Sequence, residues 1–347
     1  MTQNLQKNRQ IVLASRPSGA PTHENFTLLQ SKLPTPQSGE LLLRTVYLSL
    51  DPYMRGRMND AKSYAEPVGI NDVMVGGSVC RVEQSNHADY QKGDWVVAFG
   101  GWQDYSISNG EGLIKLDNHM ANPSYALGVL GMPGLTAYMG LLDIGQPQRG
   151  ETVVVAAATG AVGSLVGQIA KIKGCKVVGI AGGKEKCDYA VDTLGFDACL
   201  DHYHDDLSEQ LTATCTDGID VYFENVGGKV FDAVLPLLNS SARVPLCGLI
   251  SQYNATELPE GPDRMSALMG ALLVKRIKMQ GFIVFDDYGH RYDEFSHDMF
   301  QWLTEGKIKY KEHKVDGLEN AVSSFIGLLE GENFGKLVVQ VGPDNIS

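Results

Sequence analysis

Short runs in which apolar and polar residues alternate fill the first third of the chain, and turn residues separate them. These runs cover residues 11–13, 40–48, 76–82, 94–99 and 102–107. Alternation over a few residues is typical of strands that bury one face. Many short strands with glycine and proline between them predict an antiparallel, barrel-like β region.

The pattern changes near residue 125, where apolar positions begin to recur at helical spacing. Residues 126–141 predict a helix interrupted at Met132-Pro133-Gly134. Strands are then predicted at 153–157, 176–180, 198–200, 221–223, 244–249 and 278–283, with helices at 162–173 and 186–194 between the first of them. This alternation predicts an α/β domain with a mostly parallel, doubly wound sheet covered by helices on both faces.

The end of the chain adds helices near residues 292–303 and 317–329 and a final apolar strand at 336–341. We expect this strand to return to the first domain, which makes the α/β domain an insertion. The predicted division is 1–127 plus 301–347 for one domain and 128–300 for the other. A length of 347 residues suits two domains.

Composition excludes several classes of partner. The formal charge is −12, from 29 Lys and Arg against 41 Asp and Glu, which argues against a nucleic acid or an anionic membrane. The six cysteines form no C-x-x-C pair and indicate reduced thiols. No apolar stretch approaches the roughly 20 residues of a membrane span, and residues 1–9 have no apolar signal core. We therefore expect a cytoplasmic protein.

A strand that runs into a small-residue turn and then a helix carries the strongest functional signal. Its core is Ala158-Thr159-Gly160-Ala161-Val162-Gly163, a variant of G-x-G-x-x-G with alanine in the first glycine position. Gly160 would let the backbone approach a pyrophosphate, and Gly163 would let the helix pack closely on the strand. The start of the helix adds N–H donors and a positive dipole end. A plain tight turn is the alternative, but the strand–turn–helix context favours a dinucleotide site.

The next strand indicates which dinucleotide is bound. NAD-specific sites usually carry an acid about 20 residues after the turn, to hold the ribose hydroxyls. Here the strand runs into Ala181-Gly182-Gly183-Lys184-Glu185-Lys186, which has no acid at its tip. Lys184 and Lys186 could bind a 2′-phosphate, although lysines at a solvated helix start are the ordinary alternative. The combination favours NADPH over NADH.

No metal site is expected, because the ligands of a catalytic zinc are missing. The first third of the chain contains one cysteine, Cys80, and its histidines lie in polar, loop-like contexts. Another group must then stabilise charge on the substrate oxygen, and a protonated tyrosine is suited to this role. The candidates are Tyr53, Tyr64 and Tyr253; with 14 tyrosines in the chain, composition alone does not select them.

At these residues the chain resembles the zinc-free medium-chain dehydrogenases/reductases, in the leukotriene and prostaglandin reductase branch that also holds bacterial curcumin reductases. The resemblance covers nearly the whole chain. Its landmarks are Leu50-Asp51-Pro52-Tyr53-Met54-Arg55, Gly131 to Tyr138, Ala157 to Gly163, Gly167 to Lys171, Glu224-Asn225-Val226-Gly227-Gly228, Cys247-Gly248 with Gln252-Tyr253-Asn254, and Asn333-Phe334-Gly335-Lys336.

The resemblance implies a GroES-like β-barrel, completed by the C-terminal strand, around an inserted Rossmann domain. It implies that Gly160, Ala161, Val162 and Gly163 contact the pyrophosphate and that Lys186 contacts the 2′-phosphate. Residues implied around the ribose and nicotinamide are Met132, Thr136, Asn225, Cys247, Gly248, Ser251, Tyr253, Phe282, Val284 and Asn333. Mammalian members hold the adenosine phosphate with a tyrosine after the third strand. Here either His202 or Tyr203 would take that place.

The resulting hypothesis is NADPH-dependent reduction of the carbon–carbon double bond of an α,β-unsaturated ketone or aldehyde, without a metal. Hydride would reach the β-carbon while a tyrosine or ribose hydroxyl stabilises the enolate. Two alternatives remain at this point: a zinc-free quinone oxidoreductase, and a non-catalytic NADPH-binding sensor. Relatives also suggest a homodimer through the edges of the Rossmann sheet.

Overall fold

The computed structural model describes residues 7–257 and 263–344, and its strands and helices run as follows. The strands are β1 (Lys7–Leu13), β2 (Phe26–Lys32), β3 (Leu41–Ser49), β4 (Ser78–Ser85), β5 (Trp95–Ala98), β6 (Tyr105–Ser108), β7 (Ile114–Lys115), β8 (Thr152–Ala156), β9 (Lys176–Ala181), β10 (Ala198–Asp201), β11 (Ile219–Phe223), β12 (Leu238–Leu246), β13 (Lys278–Gly281), β14 (Glu312–Asp316) and β15 (Lys336–Gln340). The helices are α1 (Tyr53–Arg57), α2 (Met132–Met139), α3 (Gly163–Ile172), α4 (Lys184–Asp192), α5 (Leu207–Thr214), α6 (Gly228–Val234), α7 (Met265–Lys275), α8 (Val284–Tyr288), α9 (Tyr292–Thr304) and α10 (Ala321–Leu329).

The chain divides into two compact units. The first contains residues 1–127, 312–333 and 337–347, and the second contains residues 128–311 and 334–336. The predicted domains were 1–127 plus 301–347 and 128–300, so the compact unit that contains the parallel sheet extends further along the chain. The assignment of a catalytic role to one domain and a cofactor role to the other stays a prediction.

The first unit is built on a sheet in the order β14-β15-β3-β4-β5-β7, with β6 also paired to β3. Strand β3 is buried along its whole length, because it has partners on both edges. The C-terminal β15 pairs antiparallel with β3, with Val338 opposite Ser49. The expected return of the last strand to the first domain is therefore confirmed.

The core of this unit lies between the sheet and α10. Apolar residues of α10 recur three or four positions apart, so one face of the helix is buried. On that face Phe325 meets Trp102 edge to ring, with centroids 5.5 Å apart. Phe26, the first residue of β2, stacks its ring on that of Trp102. Strand β2 was not predicted, because its exposed residues follow no regular alternation.

The second unit is built on a parallel sheet in the order β10-β9-β8-β11-β12-β13. This is the strand order of a dinucleotide-binding Rossmann sheet, in which ligands bind at the carboxyl ends of the strands. Strand β8 lies near the middle and is fully buried, as its continuous apolar run requires. The predicted doubly wound α/β architecture is confirmed.

Two predicted strands end earlier than expected. Strand β12 stops at Leu246 rather than 249, because the N–H groups of Cys247 and Gly248 turn to the carbonyl oxygen of Glu224. Strand β13 stops at Gly281, before the short helix α8. Both early ends leave loop residues at the carboxyl edge of the sheet, where the candidate site lies.

Candidate cofactor and substrate site

The turn that joins β8 to α3 brings the helix start directly onto the end of the strand. Ala157 adopts a left-handed conformation with φ of +51°, and Gly160 N–H donates to the Ala157 carbonyl at 2.9 Å. A Cβ atom on Gly163 would lie 2.3 Å from that oxygen, whereas one on Gly160 would lie 3.2 Å from it. Glycine is therefore required at 163 for packing, and the constraint at 160 is weaker.

The start of α3 offers hydrogen-bond donors that suit an anion. Ser164 N–H donates to the Gly160 carbonyl, and Leu165 N–H donates to that of Val162. Within residues 7–257 and 263–344, nothing accepts a hydrogen bond from the N–H groups of Ala161, Val162 or Gly163. Three neighbouring donors at the N-terminus of a ten-residue helix fit a pyrophosphate.

The two lysines after β9 differ in their surroundings. Lys184 is exposed and its ammonium forms an ion pair with Asp188 on the same helix, at 2.6 Å. Lys186 is half-buried, and burial lowers the pKa of its ammonium. Lys186 is therefore the lysine whose charge gains more from an anionic ligand.

An acid does stand at this edge of the sheet, although β9 itself supplies none. Asp201 ends β10 and lies in register with Ala181, the last residue of β9. Its Oδ1 atom accepts hydrogen bonds from Gly183 N–H at 2.9 Å and from Tyr203 N–H at 3.0 Å. Burial alone would raise the pKa of this carboxyl, but the two N–H donors outweigh it and the pKa is lowered.

His202 and Tyr203 follow directly, and the structure places both beside the turn after β9. Their rings lie 4.5 Å apart between centroids. A Cβ atom on Gly182 would lie 2.9 Å from the Tyr203 ring, so glycine admits this ring. Burial lowers the pKa of His202, and Asp201 partly opposes the shift, so His202 is neutral at pH 7.

A second carboxylate organises the loops near the middle of the same sheet. Glu224 follows β11 and is 1% exposed. Its Oε1 atom accepts hydrogen bonds from Val226 N–H at 2.6 Å and Gly227 N–H at 2.8 Å. Burial raises the pKa of this carboxyl, although the N–H donors oppose the shift. Its main-chain carbonyl oxygen also accepts hydrogen bonds from the N–H groups of Cys247 and Gly248.

The loops after β11 and β12 are tied together at this point. Asn225 Nδ2 donates to the Ala156 carbonyl at 2.8 Å, which links the loop to the end of β8. Ser251 Oγ donates to the Val226 carbonyl at 2.6 Å. Tyr253 Oη accepts from Leu249 N–H at 3.4 Å and lies against Gly248. Burial raises the pKa of the Cys247 thiol to about 12, so this thiol is uncharged.

Four other predicted residues of the second unit lie on or beside its helices. Thr136 Oγ1 donates to the Met132 carbonyl within α2 at 2.8 Å. Phe282 and Val284 are buried around the start of α8, and a Cβ atom on Gly140 would lie 2.8 Å from the Phe282 ring. This contact explains why a glycine, Gly140, follows α2.

Tyr53 and Tyr64, with Asn333, belong to the first unit. Tyr53 begins α1, and burial raises the pKa of its hydroxyl, with further contributions from Asp51 and Tyr64. The structure therefore brings these two tyrosines together. Tyr64 itself is 55% exposed. Asn333 is half-buried at the point where the chain leaves this unit.

Sequence analysis did not single out Asp201 or Glu224. The available signal was an acid directly at a strand end, followed two residues later by an N–H that its side chain can reach. Tyr203 N–H and Val226 N–H fill these places. Spacing alone could not show that Gly183 N–H, from another strand, would share the Asp201 oxygen.

Metal-ligand clusters and membrane-spanning helices are both absent from the part of the chain that the structure describes. Residues 7–257 and 263–344 contain no group of three or more His, Cys, Asp or Glu side chains placed to hold a metal ion. No helix in the same part of the chain has the length and apolar character needed to cross a membrane.

Comparisons with known proteins cover both units. Residues 9–116 match the family described as the N-terminal domain of oxidoreductase, and residues 161–305 match the zinc-binding dehydrogenase family. The NADPH-dependent curcumin reductase of Escherichia coli (strain K12) is 65% identical, over 99% of this chain and 100% of that protein. Prostaglandin reductase 1 of Rattus norvegicus is 43% identical, over 93% and 95%. The crystal structure of CurA in complex with NADPH from Vibrio vulnificus is 72% identical and superposes with a TM-score of 0.95, covering 96% of this chain and 99% of that one.

Proposed function

Because the chain belongs to the medium-chain dehydrogenase/reductase family, in the branch that contains the prostaglandin and curcumin reductases, we propose that it reduces the carbon–carbon double bond of α,β-unsaturated ketones and aldehydes with NADPH. The observation that carries the proposal is the pair of anion sites on one sheet edge. The N–H donors of residues 161–163 suit the pyrophosphate, and half-buried Lys186 suits a 2′-phosphate.

The residues around these sites would hold the cofactor along the carboxyl ends of the strands. Gly160 to Gly163 would contact the pyrophosphate, and Lys186, with His202 or Tyr203, the 2′-phosphate. The loops anchored on Glu224 would present Asn225, Cys247, Gly248, Ser251 and Tyr253 to the ribose and nicotinamide. Met132, Thr136, Phe282, Val284 and Asn333 would complete the nicotinamide surroundings.

When bound, the reduced cofactor supplies the hydride that goes to the β-carbon of the substrate. The protein would orient the enone and donate a hydrogen bond to the oxygen on which negative charge develops. Tyr53, Tyr64 and Tyr253 are the proposed donors. The raised pKa of Tyr53 keeps its hydroxyl protonated at neutral pH, as a donor requires. A proton then reaches the α-carbon and completes the saturated product.

The test is NADPH oxidation over a panel of enones, enals, quinones and saturated ketones, with NADH in parallel. We expect turnover of the enones and enals, with NADPH much preferred. Faster turnover of simple quinones would favour a quinone reductase. NADPH binding without turnover of any activated alkene would favour a sensor, and either outcome would overturn the proposal.

The donor role is tested separately by Tyr53→Phe, Tyr64→Phe and Tyr253→Phe. Loss of an oxyanion donor costs on the order of a hundredfold in kcat. We expect at least one variant to show this loss with an unchanged Kd for NADPH. Full kcat in all three variants would remove tyrosine from the mechanism.

We further propose that the chain forms a homodimer through the β13 edge of the parallel sheet and helix α7. Strand β13 ends the strand order of this sheet within the described residues. The neighbouring α7 exposes a stripe of apolar side chains: Met265, Met269, Leu273 and Val274. A contiguous exposed apolar surface of this kind is typical of a protein interface.

Light scattering on the Leu273→Lys variant tests the homodimer. We expect a dimer for the wild type and a monomer for this variant, because a buried lysine without a partner opposes association. The control is Phe300→Lys, which changes another exposed apolar residue, 63% exposed and on α9, away from the proposed interface. A monomeric wild type, or equal effects of both substitutions, would contradict the proposed interface.

A further inference from the structure

We propose that Asp201 is a positioning residue for recognition of a 2′-phosphate: one carboxylate oxygen holds together the two segments that would surround this group. The inference rests on the proposed use of NADPH and adds a residue to that site. The segments are residues 182–186 after β9 and residues 202–203 after β10. The two segments follow parallel strands whose last residues, Ala181 and Asp201, lie in register.

The first segment depends on Asp201 through Gly183. Gly183 precedes α4 with φ of +86°, a conformation that side chains rarely adopt. Its N–H donates to Asp201 Oδ1 at 2.9 Å. Lys186 is the third residue of this helix, so the direction in which α4 begins fixes where the Lys186 side chain starts. The hydrogen bond to Asp201 thereby positions Lys186.

The second segment depends on the same oxygen through Tyr203. Tyr203 N–H donates to Asp201 Oδ1 at 3.0 Å, and His202 N–H donates to the Ala181 carbonyl at 3.0 Å. The Tyr203 ring then lies against Gly182, and the His202 ring lies beside it. The Tyr203 ring and Lys186 thus both depend on one acceptor atom, Asp201 Oδ1.

The negative charge of Asp201 would repel a 2′-phosphate, whereas its hydrogen bonds would position the residues around that phosphate. The two contributions can therefore be tested separately. A carboxylate near a 2′-phosphate repels it, and an acid at this edge usually favours NAD by binding ribose hydroxyls. Here the carboxylate is 15% exposed and is occupied by backbone donors. The titratable groups that interact with it are His202, His204, Cys187 and Cys199, and His204 Nε2 lies 3.8 Å from its Oδ2. The Lys186 ammonium interacts with His202. The structure therefore favours a positioning role over ribose binding.

Two substitutions separate the alternatives. Asp201→Asn keeps an oxygen that can accept both N–H groups and removes the charge. Asp201→Ala removes the acceptor. The measurement is calorimetric binding of 2′,5′-ADP and of 5′-AMP to the full chain, which reports the contribution of the 2′-phosphate without any turnover.

We expect the ratio of 2′,5′-ADP affinity to 5′-AMP affinity to fall roughly tenfold in Asp201→Ala, about what one charge-assisted hydrogen bond contributes. The Asn variant should keep the wild-type ratio or exceed it. In steady-state assays the Ala variant should raise KM for NADPH and leave kcat at saturating NADPH unchanged. The control is Asp188→Ala, which removes an exposed carboxylate on α4, the helix that carries Lys186. This variant should keep the wild-type ratio of affinities.

Three results would overturn the inference. Equal loss in the Asn and Ala variants would assign the effect to charge. An unchanged ratio in the Ala variant would leave Asp201 without a role. A wild type that binds both ligands equally would remove 2′-phosphate recognition altogether. Wild-type preference for 2′,5′-ADP with no enone turnover would instead defeat the proposed reaction and leave the role of Asp201 standing.

Discussion

Asp201 and Glu224 both lie at the carboxyl ends of parallel strands, Asp201 on the outer strand β10 and Glu224 after the central strand β11. Asp201 is the last residue of its strand and Glu224 directly follows its strand, and each uses one carboxylate oxygen to accept two backbone N–H groups. Their pKa values nevertheless move in opposite directions, downward for Asp201 and upward for Glu224. The hydrogen bonds are alike, so another property of the two surroundings decides.

The main difference is access to water, and the neighbouring His204 and His202 also lower the pKa of Asp201. Asp201 keeps 15% of its side chain exposed, whereas Glu224 is 1% exposed. Removing a carboxylate from water disfavours the charged form, and two neutral donors compensate only where some hydration remains. The proposed adenosine end is thus a hydrated site that can use charges, and the proposed nicotinamide end is a dry site that fixes loops.

The largest expected difference is in stability. Glu224→Ala leaves two buried N–H groups without an acceptor, and each such group costs about 1–3 kcal/mol. We expect a loss of about 3 kcal/mol in the free energy of unfolding. Asp201→Ala should cost about 1 kcal/mol, because water can replace the lost acceptor. Urea unfolding measures both; equal losses would break the distinction between a dry and a hydrated end.

The next-largest expected effect is on NADPH affinity, through the charge of the 2′-phosphate at the proposed adenosine end. Lys186→Ala should weaken NADPH binding roughly tenfold to a hundredfold, since it removes a charge-assisted hydrogen bond to the proposed 2′-phosphate. Binding of NADH should change little. Nicotinamide fluorescence titration provides both dissociation constants.

Lys184→Ala is the matched control for this prediction. Lys184 is exposed and paired with Asp188, and such surface pairs contribute only about 0–1 kcal/mol. We expect a change in NADPH affinity of less than about threefold. A larger effect at Lys184 than at Lys186 would show that half-burial does not select the phosphate-binding lysine.

The smallest expected effect is on the pH dependence of stability. As pH rises, the stabilising contribution of Asp201 should increase and that of Glu224 should decrease. Asp201 has a lowered folded-state pKa, so its contribution is present above its ordinary pKa of 3.8 and is lost as pH falls through the folded-state value. Glu224 has a raised folded-state pKa, so its contribution is present below its ordinary pKa of 4.5 and declines as pH rises towards the folded-state value. Neither slope exceeds about 1.4 kcal/mol per pH unit.

Unfolding free energies of Asp201→Asn and Glu224→Gln across a pH series test these signs. Relative to wild type, the Asn variant should gain stability as pH falls below about 3.8, and the Gln variant as pH rises above about 4.5. Parallel pH profiles for wild type and Glu224→Gln would indicate that burial does not shift this carboxyl.

Local chemistry made most of the α/β unit predictable. The buried run of β8, the small residues of its turn and the helix α3 are neighbours in sequence, so pattern alone predicted this strand–turn–helix unit and the proposed anion site on it. The carboxyl ends of β12 and β13 were less predictable, because the bonds that stop β12 come from Glu224, more than 20 residues earlier. The exposed strand β2 gave no usable alternation.

The sequence by itself therefore determined the alternation of strands and helices in the α/β unit, the glycine turn and the presence of lysines after β9, since each depends on residues close together in the chain. Tertiary structure decided which lysine is half-buried and which carboxylates meet the loops. Asp201 belongs to one strand and Gly183 to the segment after another, and only the parallel register of β9 and β10 brings them to hydrogen-bond distance. Burial, which sets the opposite pKa shifts of Asp201 and Glu224, likewise exists only once the sheet has formed.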